Sequence, residues 1–334
     1  MGLRNAPTPV PVPSGATPRA GVAILGRMSS LPRWLTPAVF VLLGLIWGSS
    51  FLWIKIALDE IGPATLVAHR MTLGAIGMLA FLVVIREPMP RAWRELAPLA
   101  VLGLINAGLP IYLISWGELH VDSGTAAVLN SLTPLFSLII AGVWLRTEPV
   151  TALRVTGLIL GFGGAALLAS RELTLTNDPL GLVGALAVVV AAASYALGAN
   201  YARHRMTRTH RYVVAAGTLV FAALYLWALA LVSEWPPRLP AQADTIVAVL
   251  WLGILGSFVA YLCYFFLIAR LGATMASMVT YLFPVVGVAL GTAFLGEILD
   301  LRLILGTILV LAGIVVVGLR YDARLSREPR KVPE

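Results

Sequence analysis

Residues 126–148 read AAVLNSLTPLFSLIIAGVWLRTE, and residues 276–297 read ASMVTYLFPVVGVALGTAFLGE. Laid over one another, Ala126, Leu132, Pro134 and Leu145 meet Ala276, Leu282, Pro284 and Leu295 at an offset of 150. After a one-residue gap, Glu148 and Gly157 meet Glu297 and Gly306. Each stretch is an apolar run of roughly 20 residues, the length that crosses about 30 Å of hydrocarbon at about 1.5 Å per residue. Each also carries a proline near its middle, where the ring removes a backbone donor and frees the carbonyl four residues earlier. The chain therefore holds one membrane-spanning unit twice.

Working outward, the offset is about 148 in the first spans of each half, which sets Trp47 opposite Tyr195 and Lys55 opposite Arg203. Apolar segments recur near 35–57, 63–85, 95–116, 123–145, 152–169, 180–202, 212–232, 245–269, 272–295 and 302–319. Five spans make one unit, and because five is odd the second copy enters the bilayer upside down. The expected fold is an all-α polytopic membrane protein of ten transmembrane helices built as two inverted five-helix repeats. The first repeat occupies 34–172 and the second 178–320. A Pro-, Ala-, Gly- and Arg-rich tail over 1–33 reads as a disordered cytoplasmic leader, and 321–334 as a cytoplasmic C-terminal tail.

Composition agrees with a chain dissolved in lipid. Of the 334 residues, 59% are hydrophobic and 12% are charged, where soluble domains carry about 25% charge. The formal charge of +8 does not point to nucleic acid, because the arginines sit between apolar runs and form no basic face. Of the 24 Lys and Arg residues, 19 fall in segments that are cytoplasmic if the N-terminus is inside. Arg171, Arg238 and Arg302 fall outside, and Lys55 and Arg70 lie within spans. That bias is the positive-inside pattern of a protein with both termini in the cytoplasm. Cys263 is the single cysteine, so there is no disulfide framework and no Cys/His cluster for a metal. No cofactor motif and no Walker A sequence is present.

The Trp-Gly-Ser-Ser of 47–50, the Trp-Gly-Glu of 116–118, and the paired proline-containing spans, each followed by Glu and a Gly-rich helix, together resemble the EamA family of the drug/metabolite transporter superfamily. The resemblance runs from residue 35 to 319. It implies a multi-pass protein of a bacterial cytoplasmic membrane that works by alternating access. It also implies a central cavity walled mainly by the first four helices of each half, with helices five and ten outside. The partner implied is a small polar metabolite, an amino acid or related compound, moved outward. One departure stands out: Arg70 has no counterpart in the second half, where Thr218 is aligned.

Several residues are candidates for handling such a cargo, each with a structural alternative. Pro134 and Pro284 are candidate hinges, and the carbonyls they free belong to Asn130 and Thr280. Those two residues are either symmetry-related polar points near the midplane or parts of packing kinks. Trp47, Ser50, Asn106, Tyr112, Tyr195, Tyr261 and Tyr281 carry polar atoms that are costly against lipid, so they line a cavity or bond neighbouring helices. Lys55 and Arg70 either bind a substrate carboxylate or snorkel to the interface. Glu118 and His120 either titrate in a proton-coupled cycle or are solvated loop groups. Glu148 and Glu297, just ahead of spans five and ten, read as negative groups near helix N-termini. Gly44/Gly48, Gly157/Gly161 and Gly287/Gly291 permit close helix approach, with a homodimer through span five as the alternative to a monomer.

Two other function classes compete. An integral-membrane enzyme needs a convergent catalytic set, and no paired carboxylates or His-rich cluster is present inside the spans. A non-transporting scaffold leaves the repeated halves and mid-span polar residues without a purpose.

Overall fold

The computed structural model describes residues 32, 34–140, 151–176 and 179–325, and these are helical with short connections. In lipid every backbone polar group must find a partner inside the protein, which a helix provides along its length. The first apolar run forms α1 (Leu35–Gly48) and α2 (Ser50–Leu58), interrupted at Ser49. There follow α3 (Pro63–Val84), α4 (Trp93–Leu102), a π-helical stretch Gly103–Gly108 and α5 (Leu109–Gly117). Next come α6 (Ser123–Asn130), α7 (Thr133–Ile139) and α8 (Ala152–Thr176). The second half begins with α9 (Pro179–Arg205), α10 (Arg211–Ser233) and α11 (Ala243–Leu250). A second π-helical stretch, Trp251–Val259, leads into α12 (Ala260–Leu271). The chain finishes with α13 (Ala273–Ser277), a 3₁₀ turn Met278–Tyr281, α14 (Leu282–Phe294) and α15 (Leu301–Leu325).

Among the described residues, eight helices are long and apolar enough to cross a membrane, and two shorter apolar helices cover Ser123–Ile139 and Leu301–Val317. This is a multi-pass membrane protein. The 1–31 part of the leader, residues 141–150 with Glu148, and residues 326–334 lie outside the described residues. The last helix runs to Leu325, past the expected boundary at 320. Leu, Arg and Ala at 319–325 propagate a helix readily, so it continues beyond the apolar run.

Packing joins the two sequence halves. Helix α3 lies along α10, and α8 lies along α15. The second contact is glycine-mediated: a Cβ at Gly313 would fall 2.5 Å from the Gly157 oxygen, and one at Gly164 would fall 2.8 Å from the Gly306 oxygen. Only residues without a side chain let two backbones approach that closely. The small-residue face of α8, a candidate dimer surface from spacing alone, is thus used within the chain. Gly44 and Gly48 receive Leu282 and Val286 in the same way, which brings α1 onto α14.

The connections 59–62, 118–122, 234–242 and 295–300 meet at one end of the bundle, tied by hydrogen bonds and ion pairs. They contain Asp59, Glu60, Glu118, Asp122, Glu234, Glu297 and Asp300, and this end is called the acidic end below.

Candidate functional site

Arg70 stands two turns into α3 and is buried, 7% exposed. Its Nε donates to Ser257 Oγ at 3.2 Å and its Nη2 lies 3.5 Å from the Gly256 carbonyl. The same carbonyl accepts the indole N–H of Trp47 at 3.1 Å. Gly256 and Ser257 belong to the π-helical stretch before α12, where the wider backbone turn displaces carbonyls from regular helical register. Ser257 closes its own hydroxyl on Leu252 O, five residues back, at 3.0 Å. Ser50 Oγ and Arg70 Nη2 both lie beside Gly256, 3.5 and 3.6 Å from where a Cβ would stand, so the two polar groups share one small pocket.

A guanidinium has five N–H donors in a planar fork. Arg70 spends two on neutral acceptors, and among the described residues no carboxylate lies within 4.0 Å of it. A buried charge normally has an ionic partner. The remaining donors suit a carboxylate, which accepts two parallel hydrogen bonds from this fork. Aromatic groups surround the position: Tyr195 and Tyr261 are close enough to interact electrostatically with Arg70. Trp47 packs against Tyr264 and Phe283, with ring centroids 5.5 and 6.1 Å apart.

The other candidates distribute around this centre. Trp47, Tyr195 and Tyr281 pack on one core cluster, while Tyr112, Tyr195 and Tyr261 pack on another, so Tyr195 stands between the two. Asn106 lies in the first π-helical stretch and packs against Gly198 of α9, where a Cβ would come within 2.6 Å. The chain is interrupted before both prolines. Helix α6 ends at Asn130, and Met278–Tyr281 forms a 3₁₀ turn ahead of Pro284. The Asn130 carbonyl is not free here, because Thr133 Oγ1 donates to it at 2.9 Å. The Asn130 side chain is buried and its Oδ1 has no hydrogen-bond partner. Thr280 donates its hydroxyl to Ser277 O at 3.0 Å.

Glu118 and His120 diverge. The Glu118 side chain is fully buried, whereas the His120 ring packs 4.9 Å from Trp116 and its Cβ lies against Gly184 of α9. Lys55 carries its ammonium to the 118–122 connection and not to the acceptors of Arg70. Its ammonium donates to the Glu118 carbonyl and, at 3.0 Å, to the Val121 carbonyl, closing the C-terminal end of α5.

The acidic end holds what sequence reasoning missed. Glu297 does not serve the helix that follows it, as its place ahead of span ten suggested. Its carboxylate accepts the N–H groups of Ser123 and Gly124, at 2.6 and 2.9 Å, at the start of α6 in the other half. Asp300 caps the following helix instead, with Oδ1 2.8 Å from the Leu303 nitrogen. Glu234 likewise accepts from Ala64 and Thr65, both at 2.8 Å, at the start of α3. Glu60 accepts from Ala241 at 2.9 Å and from Gln242. Thr245 and those two N–H groups hold the Glu60 carboxyl below its ordinary range. Arg171, fully buried, joins Asp122 and Asp300 at 2.9 Å each and Glu172 at 2.8 Å, and donates to Ile298 O. Burial opposes ionisation of Asp300, yet Leu303 N–H and Arg171 keep its carboxyl below the usual carboxylate range. Each clamp joins segments at least 127 residues apart in the cross-half cases, so no local pattern announces it.

A groove between α14 and α15, lined by Val285, Val288, Leu303 and Ile308, is apolar and suits a lipid chain rather than a polar solute.

Comparison with known proteins gives a consistent result. The EamA-like transporter family matches residues 35–170 and 182–319. The chain is 26% identical over 287 residues to an "Uncharacterized transporter" of Archaeoglobus fulgidus, covering 86% of this chain and 99% of that protein. It is 30% identical to a "Probable terminal-alkyne amino-acid exporter" of Streptantibioticus cattleyicolor, covering 85% of this chain and 93% of the relative. It is 29% identical to the inner membrane transporter YedA of Escherichia coli strain K12, over 86% and 92% of the two chains. A solved crystal structure superposes with a TM-score of 0.62 over 88% of this chain and 99% of the other, at 20% identity. That likeness concerns the fold.

Proposed function

The chain belongs to the EamA-like transporter family, and from that premise we propose that it is a ten-helix secondary transporter of two inverted five-helix halves. Its cargo is a small polar metabolite carrying a carboxylate, an amino acid or a related compound, exported by alternating access. The observation that carries this reading is Arg70: a buried guanidinium among Trp47, Tyr195 and Tyr261, with no carboxylate within 4.0 Å among the described residues and with donors to spare. The amino-acid exporter among the relatives supports the substrate class.

With both termini cytoplasmic, a reading the arginine distribution supports, the acidic end faces outward. The four clamps then close the outer side of the pathway, and this conformation is one step of an alternating cycle. Asn130 and Thr280, at the interruptions before Pro134 and Pro284, supply further polar contacts on the cargo's route, and the prolines keep that region deformable.

The test is uptake of labelled amino acids into proteoliposomes, with the matching decarboxylated amines as controls. Arg70→Gln should raise KM tenfold or more for acids, since about 1.4 kcal/mol is tenfold and a lost charged hydrogen bond is worth about 1.5–3 kcal/mol. Arg70→Lys should recover part of that loss, keeping the charge without the fork. Unchanged KM in Arg70→Gln would remove Arg70 from the cargo site.

A further inference from the structure

Glu118 is the one described carboxylic acid that is both fully buried and without a hydrogen-bond partner on either oxygen. It caps the C-terminal end of α5 through its own N–H, 2.9 Å from Ile114 O, so its backbone is fixed while its side chain turns inward. The charged groups around it are already engaged. Lys55, from α2, spends its ammonium on the Glu118 and Val121 carbonyls. Arg70, from α3, is bound to Ser257 and Gly256. Glu297, from the 295–300 connection, brings a second carboxylate into the same region and is occupied with the start of α6. Helix α9 contributes apolar Val188 and Gly184 beside Gly117, with Tyr195 further in near Arg70. In its own connection Asp122 is taken by Arg171, and His120 faces Trp116.

An ionised carboxylate buried without partners is costly, and the cost falls away when it binds a proton. Burial pushes the Glu118 carboxyl well above the usual carboxylate range, with Glu297 adding to that push while Lys55 and Arg70 oppose it. The clamps that seal the acidic end are what keep water from it. Opening that end hydrates the carboxyl and frees Lys55 to pair with the anion.

Resting on the transporter reading above, we propose that Glu118 is the proton-binding site of the cycle: it holds a proton while the acidic end is closed and releases it when that end opens. Closure of this end is thereby linked to uptake of one proton, which makes the conformational equilibrium depend on the pH at that end.

The experiment uses the purified full chain and needs no cargo. Infrared spectroscopy at neutral pH should show a protonated-carboxyl band that shifts in heavy water and is missing in Glu118→Gln. In parallel, Val121→Cys in a Cys263→Ala background reports opening, because Val121 is 2% exposed in the closed form. Labelling by a hydrophilic maleimide is normalised to Leu119→Cys, which is 45% exposed, so that the ordinary rise of thiolate with pH cancels. Normalised labelling should rise several-fold between about pH 6 and pH 9 with Glu118 present and stay at its low-pH level in Glu118→Gln. If Glu118→Gln does not fold, Lys55→Met with Glu118 intact replaces it and should move the rise to higher pH. A carboxyl band that survives in Glu118→Gln, the same pH-dependent rise in both proteins, or no upward move in Lys55→Met overturns the proposal. Those failures leave the cargo assignment standing, since that is read from the Arg70 variants in transport.

Discussion

The clamp of Glu297 on the start of α6 offers a quantitative test. Replacing Glu297 by alanine orphans the N–H groups of Ser123 and Gly124, which the carboxylate now meets at 2.6 and 2.9 Å. Ser123 is fully buried. A buried donor left unsatisfied costs about 1–3 kcal/mol, and loss of an N-terminal cap about 0.5–2 kcal/mol. Glu297 itself is half-buried, so water reaches part of the site and softens the loss. The net expectation is about 2–4 kcal/mol, a shift of about 30- to 1,000-fold toward local opening of this end at about 1.4 kcal/mol per tenfold. Hydrogen exchange followed by mass spectrometry reads that opening directly. Amides at 123–128 should exchange faster by that factor in Glu297→Ala, while amides of α15 stay unchanged. Glu297→Gln, which keeps an acceptor but loses the charge, should fall between. Unaltered exchange at 123–128 in Glu297→Ala refutes the clamp and with it the idea that cross-half carboxylates hold this end shut.

Three further outcomes are expected. Asn130→Leu removes a buried acceptor that has no partner, so thermal stability should hold or rise while cargo affinity falls about tenfold or more; Pro134→Ala should slow exchange of cargo more than it weakens binding. A fall in stability with unchanged affinity places Asn130 in packing alone. Gly313→Val forces a side chain against the Gly157 oxygen and Gly161 nitrogen, 2.5 and 2.6 Å from the new Cβ, and should destabilise by about 1–3 kcal/mol or more in thermal unfolding. Gly163→Ala, with nothing within 4 Å, should be neutral or slightly stabilising, and equal effects of the two would contradict the α8–α15 packing. Single cysteines replacing Thr207 and Leu239 over Cys263→Ala should be labelled by an impermeant reagent in intact cells at Leu239 only; equal labelling overturns the outward placement of the acidic end.

Much of the Arg70 pocket was legible as a set of residues. Trp47, Ser50, Arg70, Tyr195 and Tyr261 carry polar atoms in apolar runs, and that alone argues that they turn away from lipid. Its acceptors were not legible. Gly256 and Ser257 look like ordinary small residues of a packing face, and only the π-helical turn makes their oxygens the partners of Trp47 and Arg70. Glu297 shows the converse. Its position before an apolar run suggested service to the nearest helix, but Asp300 fills that place and Glu297 reaches back 174 residues to Ser123.

By itself the sequence determined that this chain lives in a bilayer, that its apolar runs come in two related sets, and which residues lipid would reject. These follow from composition and spacing within about 20 residues, because transfer into hydrocarbon depends on each residue almost independently of the others. The tertiary structure decided which rejected residues meet. Helix faces are set by rotation about each axis, and side chains advance about 100° per residue in a regular helix. The break at Ser49, the π-helical stretches Gly103–Gly108 and Trp251–Val259, and the 3₁₀ turn Met278–Tyr281 each reset that phase. Hydropathy is blind to such resets, so the meeting of Arg70 with Gly256 and Ser257, and of Glu297 with the start of α6, is a property of the packed bundle alone.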